Sequence, residues 1–403
     1  MSNELNKNRL EKPLSGVVVL DLTQAYSGPF CTMHLADQGA EVIKIEVPGK
    51  GDQSRTWAPF KNGYSGYYAY INRNKYGLSL NLKSEEGKEI FKKLVAKADV
   101  VCENFRVGTM ERLGLGYDVL SEINPGLIYA SISGFGLEGP RAQQPCYDIV
   151  AQAMGGMMSM TGFDRLTKVG PAIADNYSGT YLSLGIVMAL YQRSRTGAGR
   201  RIDVSMLDTI FSILETGVVE YTFDGVVSAP QGNRDPGIAP FDSFMASDGE
   251  FVVACGTNKF WYALCDLMQK PELKSDPRFT DNALRCQNYA ALKQIIGDWA
   301  LQHTVGEIES LVVGAGIPFG RVLKMDEVCR QQELRDRNML WDVDDPGVGG
   351  HITIPGTPIK MHGCEDRAQR PAPMIGEHSR SILGKMIGLT DGELDKLQAD
   401  GVI

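Results

Sequence analysis

Residues Gly16 to Glu46 read GVVVLDLTQAYSGPFCTMHLADQGAEVIKIE. The apolar run Gly16–Leu22 predicts a buried parallel strand. Gly28-Pro29 predicts the start of a helix, because proline is favoured at the first helical position, and Gly39 predicts its end. Glu41–Glu46 predicts a second strand. A strand, helix and strand in this order predict a right-handed parallel α/β domain.

This unit first suggests a dinucleotide-binding fold with Glu46 on a ribose. Between strand and helix, however, lies Thr23–Gly28, which contains one glycine. The dinucleotide fingerprint needs three glycines, for the tight turn, for the close approach of the pyrophosphate and for helix packing. The sequence therefore argues against NAD binding.

Further strands are predicted at Asp99–Glu103 and Gly126–Ile132. Ligands of open α/β sheets bind beyond the carboxyl ends of the strands. We therefore expect three strand tips to face one crevice: Thr23–Gly28, Asn104–Arg106 and Ser133–Gly136.

Proline and glycine crowd the segment that follows Val226, which predicts a domain boundary or a mobile loop. The chain is therefore divided into a large Rossmann-type domain with a parallel sheet (residues 1–225), a smaller α+β domain (226–325) and a C-terminal return to the large domain (326–403). Two domains also fit the length of 403 residues.

Composition excludes several classes of protein. The net charge of −8 argues against general nucleic-acid binding. No apolar run is long enough to span a membrane, and Met1–Lys12 reads as a polar arm without the apolar core of a signal peptide. The eight cysteines are scattered singly, so neither a disulfide framework nor a metal site is predicted. A cytoplasmic location is expected.

Asp175 lies within the segment Gly170–Gly179, just before an apolar stretch with helical spacing, which predicts a helix over Asn176–Arg193. An aspartate in this place fits a helix N-cap, whose carboxylate accepts unpaired backbone N–H groups. It also fits a nucleophilic carboxylate that the helix N-terminus keeps ionised. The local pattern leaves both interpretations open.

The assembled motifs resemble those of the class III CoA-transferases of the CaiB/BaiF type, along almost the entire chain. The resemblance is carried by Pro13-Leu-x-Gly16 with Asp21-Leu-Thr23, Gly28-Pro29, Gly39–Glu46, Gly51-Asp52-x-x-Arg55, Asn72-x-Asn74-Lys75, Glu103-Asn104-Phe105-Arg106-x-Gly108, Ser133-Gly134-Phe135-Gly136, Asp175-x-x-Ser178-Gly179 and Thr196-Gly197-x-Gly199.

The resemblance implies an enzyme of two interlocked subunits, a homodimer, that exchanges CoA between an acyl-CoA and a carboxylic acid. It identifies Asp175 as the nucleophile, which forms an acyl anhydride and then an aspartyl-CoA thioester. Because one thioester is exchanged for another, no ATP, metal or permanently bound cofactor is expected.

Roles for further residues follow from the resemblance. The catalytic set adds Tyr26, which stands where formyl-CoA:oxalate enzymes carry a glutamine, together with Gly134 and Gly136. Val47 stands where those enzymes carry an arginine. The positions expected to bind CoA are Gln24, Ala25, Lys75, Asn104, Phe105 and Arg112, and those of a lid or acceptor contact are Gly232, Arg234 and Gly237.

Within the family, Gly232-Asn233-Arg234 and Ala239–Asp242 are most similar to the acetyl-CoA:oxalate subgroup. Oxalate is therefore the first expected acceptor, with acetyl-CoA or formyl-CoA as donor. A carnitine-like or hydroxy acid remains an alternative acceptor. An alpha-methylacyl-CoA racemase, which shares this aspartate, needs a histidine where Tyr147 stands, because moving a proton between two faces takes two acid–base groups. A non-catalytic CoA-binding protein is the alternative of a different class.

Overall fold

The computed structural model describes residues 11–403. They form two compact units, a larger one of residues 11–157, 168–219 and 332–403 and a smaller one of residues 158–167 and 220–331. The sequence does not reveal that residues 158–167 belong with the smaller unit. The predicted polar arm lies almost wholly outside the described residues.

The strands are β1 Val18–Asp21, β2 Glu41–Glu46, β3 Phe60–Lys61, β4 Tyr64–Ser65, β5 Tyr76–Ser79, β6 Val100–Glu103, β7 Ile128–Ser133, β8 Arg200–Ser205, β9 Phe241–Met245, β10 Glu250–Ala254, β11 Phe319–Arg321, β12 Leu340–Asp345 and β13 Gly350–Pro355. The helices are α1 Ser27–Asp37, α2 Gly66–Asn72, α3 Glu85–Val95, α4 Thr109–Arg112, α5 Tyr117–Ile123, α6 Asp148–Met154, α7 Met157–Met160, α8 Ile173–Thr196, α9 Met206–Ser212, α10 Gly217–Asp224, α11 Asn258–Leu267, α12 Asn282–Gln287, α13 Tyr289–Ala300, α14 Val305–Gly314, α15 Met325–Val328, α16 Gln332–Asp336, α17 Ser379–Ile387 and α18 Asp391–Ala399.

A six-stranded parallel sheet organises the larger unit, in the order β5-β2-β1-β6-β7-β8. The central strand β1 pairs with both neighbours through one residue, since Val19 lies opposite Val42 on β2 and Val100 on β6. The predicted parallel α/β fold is confirmed. The edge strand β5 was not predicted, because its four residues include Gly77 and Ser79 and offer little apolar pattern.

The apolar side chains that point from this sheet pack against amphipathic helices. Leu20, Ile43 and Val101 are fully buried against Phe91 and Leu94 of α3. Each side chain of this size contributes about 1.5–3 kcal/mol when it is removed from water. The core therefore lies directly beneath β1, whose carboxyl end opens toward the candidate site.

Helix α8 packs on α1. A Cβ at Gly179 of α8 would lie 2.6 Å from the carbonyl oxygen of Ser27, so only glycine permits this approach. The adjacent Ser178 is buried and donates to Thr209 Oγ1 at 3.2 Å. These contacts explain the Ser178-Gly179 motif as packing that brings the start of α8 to the start of α1.

The smaller unit has a three-stranded antiparallel sheet, in the order β11-β10-β9, covered by α11 to α14. Its core holds the fully buried Trp261, Phe251 and Phe279. Among the described residues, no helix has the length and apolar character that crossing a bilayer requires.

Several predicted element boundaries differ from the structure. The expected helix Met206–Tyr221 is divided into α9 and α10, and the pattern at Tyr147–Met158 becomes α6 and the start of α7. The last helix is capped by Thr390, which exchanges hydrogen bonds with Glu393, and the predicted cap Asp391 is its first residue.

Candidate active site

The three predicted strand tips meet around one cavity of about 360 Å³ in the larger unit. The cavity lies beyond the carboxyl ends of β1, β6 and β7, and Asp175 is part of its wall. Its lining includes Gln24, Ala25, Tyr26, Ser27, Asn104, Phe105, Ser133 and Gly134. Most of the predicted site residues are thus brought together.

Buried charges hold the loop that follows β1. Lys44 on β2 donates to the carbonyl of Thr23 at 2.5 Å and to Asp52 Oδ2 at 2.6 Å. Asp52 Oδ1 in turn accepts the N–H of Ala25 at 3.1 Å, and Ala25 has the left-handed φ of 66°. Burial alone would raise the pKa of Asp52, but Lys44 holds it below its usual value. An ionised pair therefore fixes the loop.

Asn104 fixes the same loop from the end of β6. Its Oδ1 accepts the N–H of Gln24 at 2.8 Å, and its Nδ2 donates to the carbonyl of Gln24 at 2.8 Å. The side chain of Asn104 thus completes a short ladder across the loop. Asn104 therefore lines the cavity and also holds the loop after β1 in place.

Asp175 lies in the first turn of α8, and the prediction that it is the N-cap is wrong. The cap residue is Ala172, which has no side-chain acceptor, and the N–H of Ala174 is bonded instead by Asp148 Oδ1 at 2.8 Å. The Asp175 carboxylate is therefore not used as a cap. It accepts a hydrogen bond from the Ser27 hydroxyl at the start of α1.

Burial, followed by the negative charge of Asp148, raises the pKa of the Asp175 carboxyl to about 7, against the opposing hydrogen bond from Ser27. Burial therefore opposes the expected effect of the helix start, which is to keep this carboxylate ionised. Desolvation disfavours the charged form more than the nearby donor favours it. A carboxylate with this pKa is about half ionised at neutral pH and less hydrated than one on the surface.

Aromatic side chains and a thiol surround Asp175 in the cavity. Tyr26 donates its hydroxyl to Asn176 Oδ1 at 2.7 Å, and its ring lies 5.6 Å from that of Tyr67, which contacts Trp57 edge-on at 5.2 Å. Burial raises the pKa of both tyrosines, and burial with the charge of Asp175 raises the pKa of Cys146 to about 11. All three are neutral near pH 7, so this wall adds no charge beside Asp175.

The two predicted site glycines have different surroundings. Gly134 lines the cavity, and a Cβ there would lie 2.2 Å from Cys146 Cβ, so the position needs glycine. Gly136 is not part of the wall, and its N–H donates to Ser133 Oγ at 2.9 Å. Gly136 thus serves a turn, and it does not offer a free donor to the cavity.

Two predicted CoA contacts lie elsewhere. Lys75 is fully buried and donates to Asp21 Oδ2, to Asn72 Oδ1 and to the carbonyl of Pro29. With its three donors used inside the protein, Lys75 does not reach a phosphate. Arg112 is exposed, is not part of the cavity wall and donates to Thr109 within its own short helix. The CoA contact predicted for Lys75 is therefore wrong, and the one predicted for Arg112 stays a prediction.

The structure also identifies wall residues that the sequence did not single out as site residues. Arg106 is exposed at the rim of the first cavity, and Trp57 and Tyr67 line it. Arg106 belongs to the Asn104-Phe105-Arg106 motif, and Trp57 follows the Gly51-Asp52-x-x-Arg55 motif, so proximity to those motifs was the available signal.

A second cavity of about 510 Å³ lies beside the first, at the ends of β2 and β5. It shares Gln24 and Phe105 with the first cavity and has a mainly apolar wall. Lys50 and Lys83 belong to its lining, and both are exposed. The pair of cavities therefore forms an apolar and basic path that leads away from Asp175.

The remaining predicted residues, Gly232, Arg234 and Gly237, belong to the smaller unit. Arg234 lies 4.1 Å above the ring of Tyr289 and donates to the carbonyl of Cys286 at 3.0 Å. Gly232 has a φ of 67° and donates to the carbonyl of Gly162. The lid and the acceptor contact stay predictions. Within residues 11–403, no three histidine, cysteine, aspartate or glutamate side chains are grouped to hold a metal.

The cavity beyond the carboxyl ends of the parallel strands, with the buried carboxyl of Asp175 in its wall, is a ligand-binding site of the α/β class, and comparison with known proteins specifies the family. The chain belongs to CoA-transferase family III, whose family model matches residues 14–379. It is accordingly a CoA-transferase.

Three relatives illustrate the range of the family. The chain is 42% identical to the acetyl-CoA:oxalate CoA-transferase of Acetobacter aceti, over 92% of this chain and 95% of that protein. It is 41% identical to the succinyl-CoA:mesaconate CoA-transferase of Haloarcula hispanica, with the same coverage of 92% and 95%. A solved CaiB/BaiF family protein from Brucella suis matches with a TM-score of 0.83 and 35% identity, over 94% of this chain and all of that one.

Proposed function

We propose that this CoA-transferase moves CoA from acetyl-CoA or formyl-CoA to a small carboxylic acid, oxalate first, through covalent intermediates on Asp175. The observation that carries the proposal is the Asp175 carboxyl in the cavity wall, held by Ser27 and with a pKa raised to about 7 by burial and by Asp148. A partly desolvated carboxyl that is about half ionised at neutral pH supplies a competent nucleophile in its ionised fraction.

Four attacks complete the reaction. A carboxylate oxygen of Asp175 attacks the thioester carbonyl, the C–S bond breaks, and CoA leaves as the thiolate with an acyl anhydride formed. The thiolate attacks the Asp175 carbonyl carbon, releasing the donor acid and forming aspartyl-CoA. The acceptor carboxylate then attacks this thioester, and the thiolate attacks the acceptor carbonyl of the new anhydride. Asp175 is regenerated, so protons and electrons balance without ATP or a redox partner.

Each attack passes through an oxyanion, which preorganised donors stabilise most effectively. The first N–H groups of α1 have no partner within the helix, and Ser27 brings them to the cavity. Gly134 lets Cys146 pack against the end of β7 and so shapes the wall beside Asp175. Tyr26 stays a neutral hydroxyl oriented by Asn176, so it shapes the pocket without repelling an anion.

CoA is proposed to lie along both cavities, with its thioester beside Asp175. Phe105 and Gln24 are shared by the two cavities, so the pantetheine arm is expected to pass them. Lys50 and Lys83 suit the phosphates, and the apolar wall between them suits adenine. Arg106 supplies the only cationic side chain in the lining of the first cavity, among the described residues.

We place oxalate first among the acceptors because the relative from Acetobacter aceti is named for oxalate. The relative from Haloarcula hispanica is named for mesaconate, so mesaconate is the next acid to compare. The test incubates the protein with acetyl-CoA, formyl-CoA or succinyl-CoA and a panel of oxalate, mesaconate, glutarate, a hydroxy acid, carnitine and propionate. New acyl-CoAs are identified by mass. Oxalyl-CoA at the highest kcat/KM supports the proposal, and preference for another acid changes the acceptor within the family.

The nucleophile is tested separately with Asp175→Asn, which keeps the shape of the side chain and removes its charge. We expect loss of exchange by at least about 10⁴-fold, because the covalent route is closed. Asp118→Asn is the matched control, since Asp118 is an exposed acid in the first turn of α5. Hydroxylamine trapping during turnover should label Asp175 in the wild type. An active, folded Asp175→Asn protein refutes the nucleophile and the mechanism together.

We also propose that the enzyme is a homodimer in the cytoplasm. Helix α8 exposes a stripe of large apolar side chains at spacings of three and four residues, namely Tyr177, Tyr181, Leu184, Met188 and Tyr191. A stripe of this kind is typical of a helix that packs against a partner. Light scattering after size exclusion should give a dimer that Met188→Glu weakens and Ser194→Glu, at an exposed polar site, does not.

A further inference from the structure

The segment that leads into Asp175 is held at both of its ends by one helix. At its start, the N–H of Val169 donates to Gln152 Oε1 at 2.9 Å. At its end, the N–H of Ala174 donates to Asp148 Oδ1 at 2.8 Å. Asp148 and Gln152 both belong to α6, so this helix fixes where residues 170–173 enter α8. We call these two side chains the α6 clamp.

The clamp is a closed set of hydrogen bonds. Asp148 and Gln152 are four residues apart and therefore lie on one face of α6. Gln152 is fully buried, and its Nε2 donates to Asp148 Oδ2 at 2.7 Å. Both carboxylate oxygens of Asp148 are thus used, and both polar atoms of the Gln152 amide are used. The network is partly buried, and it rigidifies its surroundings because breaking any member leaves a polar group without its partner.

The clamp bears on Asp175 in two ways. The residue that caps α8 has no side-chain acceptor, so Asp148 performs this task one residue before Asp175. Asp148 is also the nearby charge that, after burial, raises the pKa of Asp175. The other groups whose pKa responds to Asp175 are Tyr26, Tyr67 and Cys146, and the Ser27 hydroxyl is its hydrogen-bond donor.

We propose that Asp148 is a positioning residue for CoA transfer, which fixes the first turn of α8 and thereby the direction of the Asp175 carboxylate, with Gln152 as its brace. This inference rests on the proposed function, in which Asp175 is the nucleophile. Placement matters because a displacement of about 1 Å at a reacting group can cost roughly 100-fold in rate.

Two substitutions of Asp148 separate position from charge. Asp148→Asn keeps an oxygen that accepts the N–H of Ala174 but has no charge. Its NH2 group replaces Oδ2 and cannot accept the hydrogen bond from Gln152 Nε2, so its kcat is compared with that of Gln152→Met, which loses the same bond. Because the charge of Asp148 raises the pKa of Asp175, the acid limb of the kcat–pH profile should move to lower pH in this variant. Asp148→Ala removes the acceptor as well, and kcat should fall by about 10- to 100-fold. The KM for acyl-CoA should stay within about threefold in both variants, because Asp148 lines neither the first nor the second cavity.

A second position tests the brace. Gln152→Met has a similar volume but leaves the N–H of Val169 unpaired and frees Asp148 Oδ2. We expect a reduced kcat with the acid limb retained near the wild-type pH, because the Asp148 charge remains. Asp118→Asn on α5 should change neither quantity. Circular dichroism establishes folding, and if Asp148→Ala does not fold, Asp148→Asn and Gln152→Met still give the two readouts.

A failure of the role proposed for Asp148 can be told apart from a failure of Asp175 as the nucleophile. Infrared difference spectra between each protein and its Asp175→Asn counterpart report the titration of the Asp175 carboxyl without any turnover. If Asp148→Asn leaves that titration unchanged and Gln152→Met leaves kcat unchanged while Asp175→Asn is inactive, Asp148 is not a positioning residue. If Asp175→Asn is active, the mechanism fails first, and the infrared titration still decides whether Asp148 governs Asp175.

Discussion

The ammonium nitrogen of Lys75 lies 3.0 Å from Asp21 Oδ2, and both side chains are completely buried. Burial alone would raise the pKa of Asp21, but Lys75 and Lys44 hold it below the usual range. Burial also lowers the pKa of Lys75 to about 8, against the attraction of Asp21. The pair therefore anchors the end of β1 beneath the loop that bears Tyr26, and it is not part of a phosphate site.

Removing Lys75 should consequently destabilise the protein and not weaken its affinity for CoA. Lys75→Ala leaves the Asp21 charge buried and unpaired, which typically costs about 3–5 kcal/mol. The midpoint of urea unfolding should fall accordingly, while the KM for acyl-CoA of the folded enzyme changes little. Lys92→Ala breaks an exposed pair with Glu89 and should cost under about 1 kcal/mol. A raised KM for acyl-CoA with unchanged stability would instead support the prediction that Lys75 contacts a CoA phosphate.

Arg106 and Arg112 offer a matched comparison of a residue at the cavity with one outside it. Arg106→Ala should raise the KM for acyl-CoA by about 10-fold with little change in kcat, because a charge-assisted contact contributes about 1.5–3 kcal/mol and this one is exposed to water. Arg112→Ala should stay within about twofold, since its guanidinium donates to Thr109. Initial rates over a range of acyl-CoA concentrations decide. A larger rise in KM for Arg112→Ala than for Arg106→Ala would indicate that CoA binds along α4.

The position of Tyr147 makes a prediction about racemisation. Tyr147 lines the first cavity and stands where a racemase needs histidine, so the second acid–base group of racemisation is missing at this position. We expect no exchange of the alpha-proton of a branched acyl-CoA with deuterated water, as followed by proton NMR. When an acceptor acid is added to the same incubation, the acyl-CoA of that acid should form, which shows that the enzyme is active under these conditions. Rapid loss of the alpha-proton signal would favour a racemase.

Local sequence pattern was sufficient for the strand–helix–strand order around β1 and for the edge of the sheet at which the strand tips meet, although not for the edge strand β5. Gly16–Leu22 is a largely apolar run, Glu41–Glu46 contains three β-branched apolar residues, and glycines flank both; a parallel arrangement of such strands has few alternatives. For Asp175 the local pattern left a helix N-cap and a nucleophile open, and the resemblance to the class III CoA-transferases identified it as the nucleophile candidate. These inferences depend on neighbours in the chain, which the sequence displays directly.

Contacts between distant residues were not readable in the same way. Lys75 is 54 positions from Asp21, and nothing local shows that its ammonium faces inward. Asp148 is 26 positions from the N–H of Ala174, so the cap of α8 could not be assigned from the residues beside it. Arg106 and Arg112 both follow β6, and the short helix α4 decides which of them faces the cavity. Side-chain direction therefore limited the site prediction more than residue type did.

The raised pKa of Asp175 predicts the pH dependence of exchange. The nucleophile is the carboxylate, so kcat should fall about tenfold per pH unit below about 7 and level off above it. Burial and the charge of Asp148 raise the pKa of Asp175. A surface carboxyl has a pKa near 4 and would give no fall in kcat between pH 7 and about 5. Stopped assays at saturating acyl-CoA between pH 5 and 9, at constant ionic strength, measure the profile. A flat profile down to about pH 5 would contradict an Asp175 pKa near 7.

The same group predicts a pH-dependent gain in stability for Asp175→Asn. In the wild type, the folded-state pKa of about 7 lies above the usual value of 3.8, so the unfolded chain loses this proton at lower pH than the folded protein does. Stability from the protonated carboxyl is therefore present below about pH 4 and is lost as the pH rises through 7. Asparagine does not titrate, so the variant should be no more stable than the wild type at pH 4. It should be about 1–3 kcal/mol more stable at pH 8, below the limit of about 4 kcal/mol that three pKa units imply, because the site is partly open to water. Urea unfolding at both pH values, with Asp118→Asn as the exposed control, measures the difference, and an equal effect at the two pH values would contradict it.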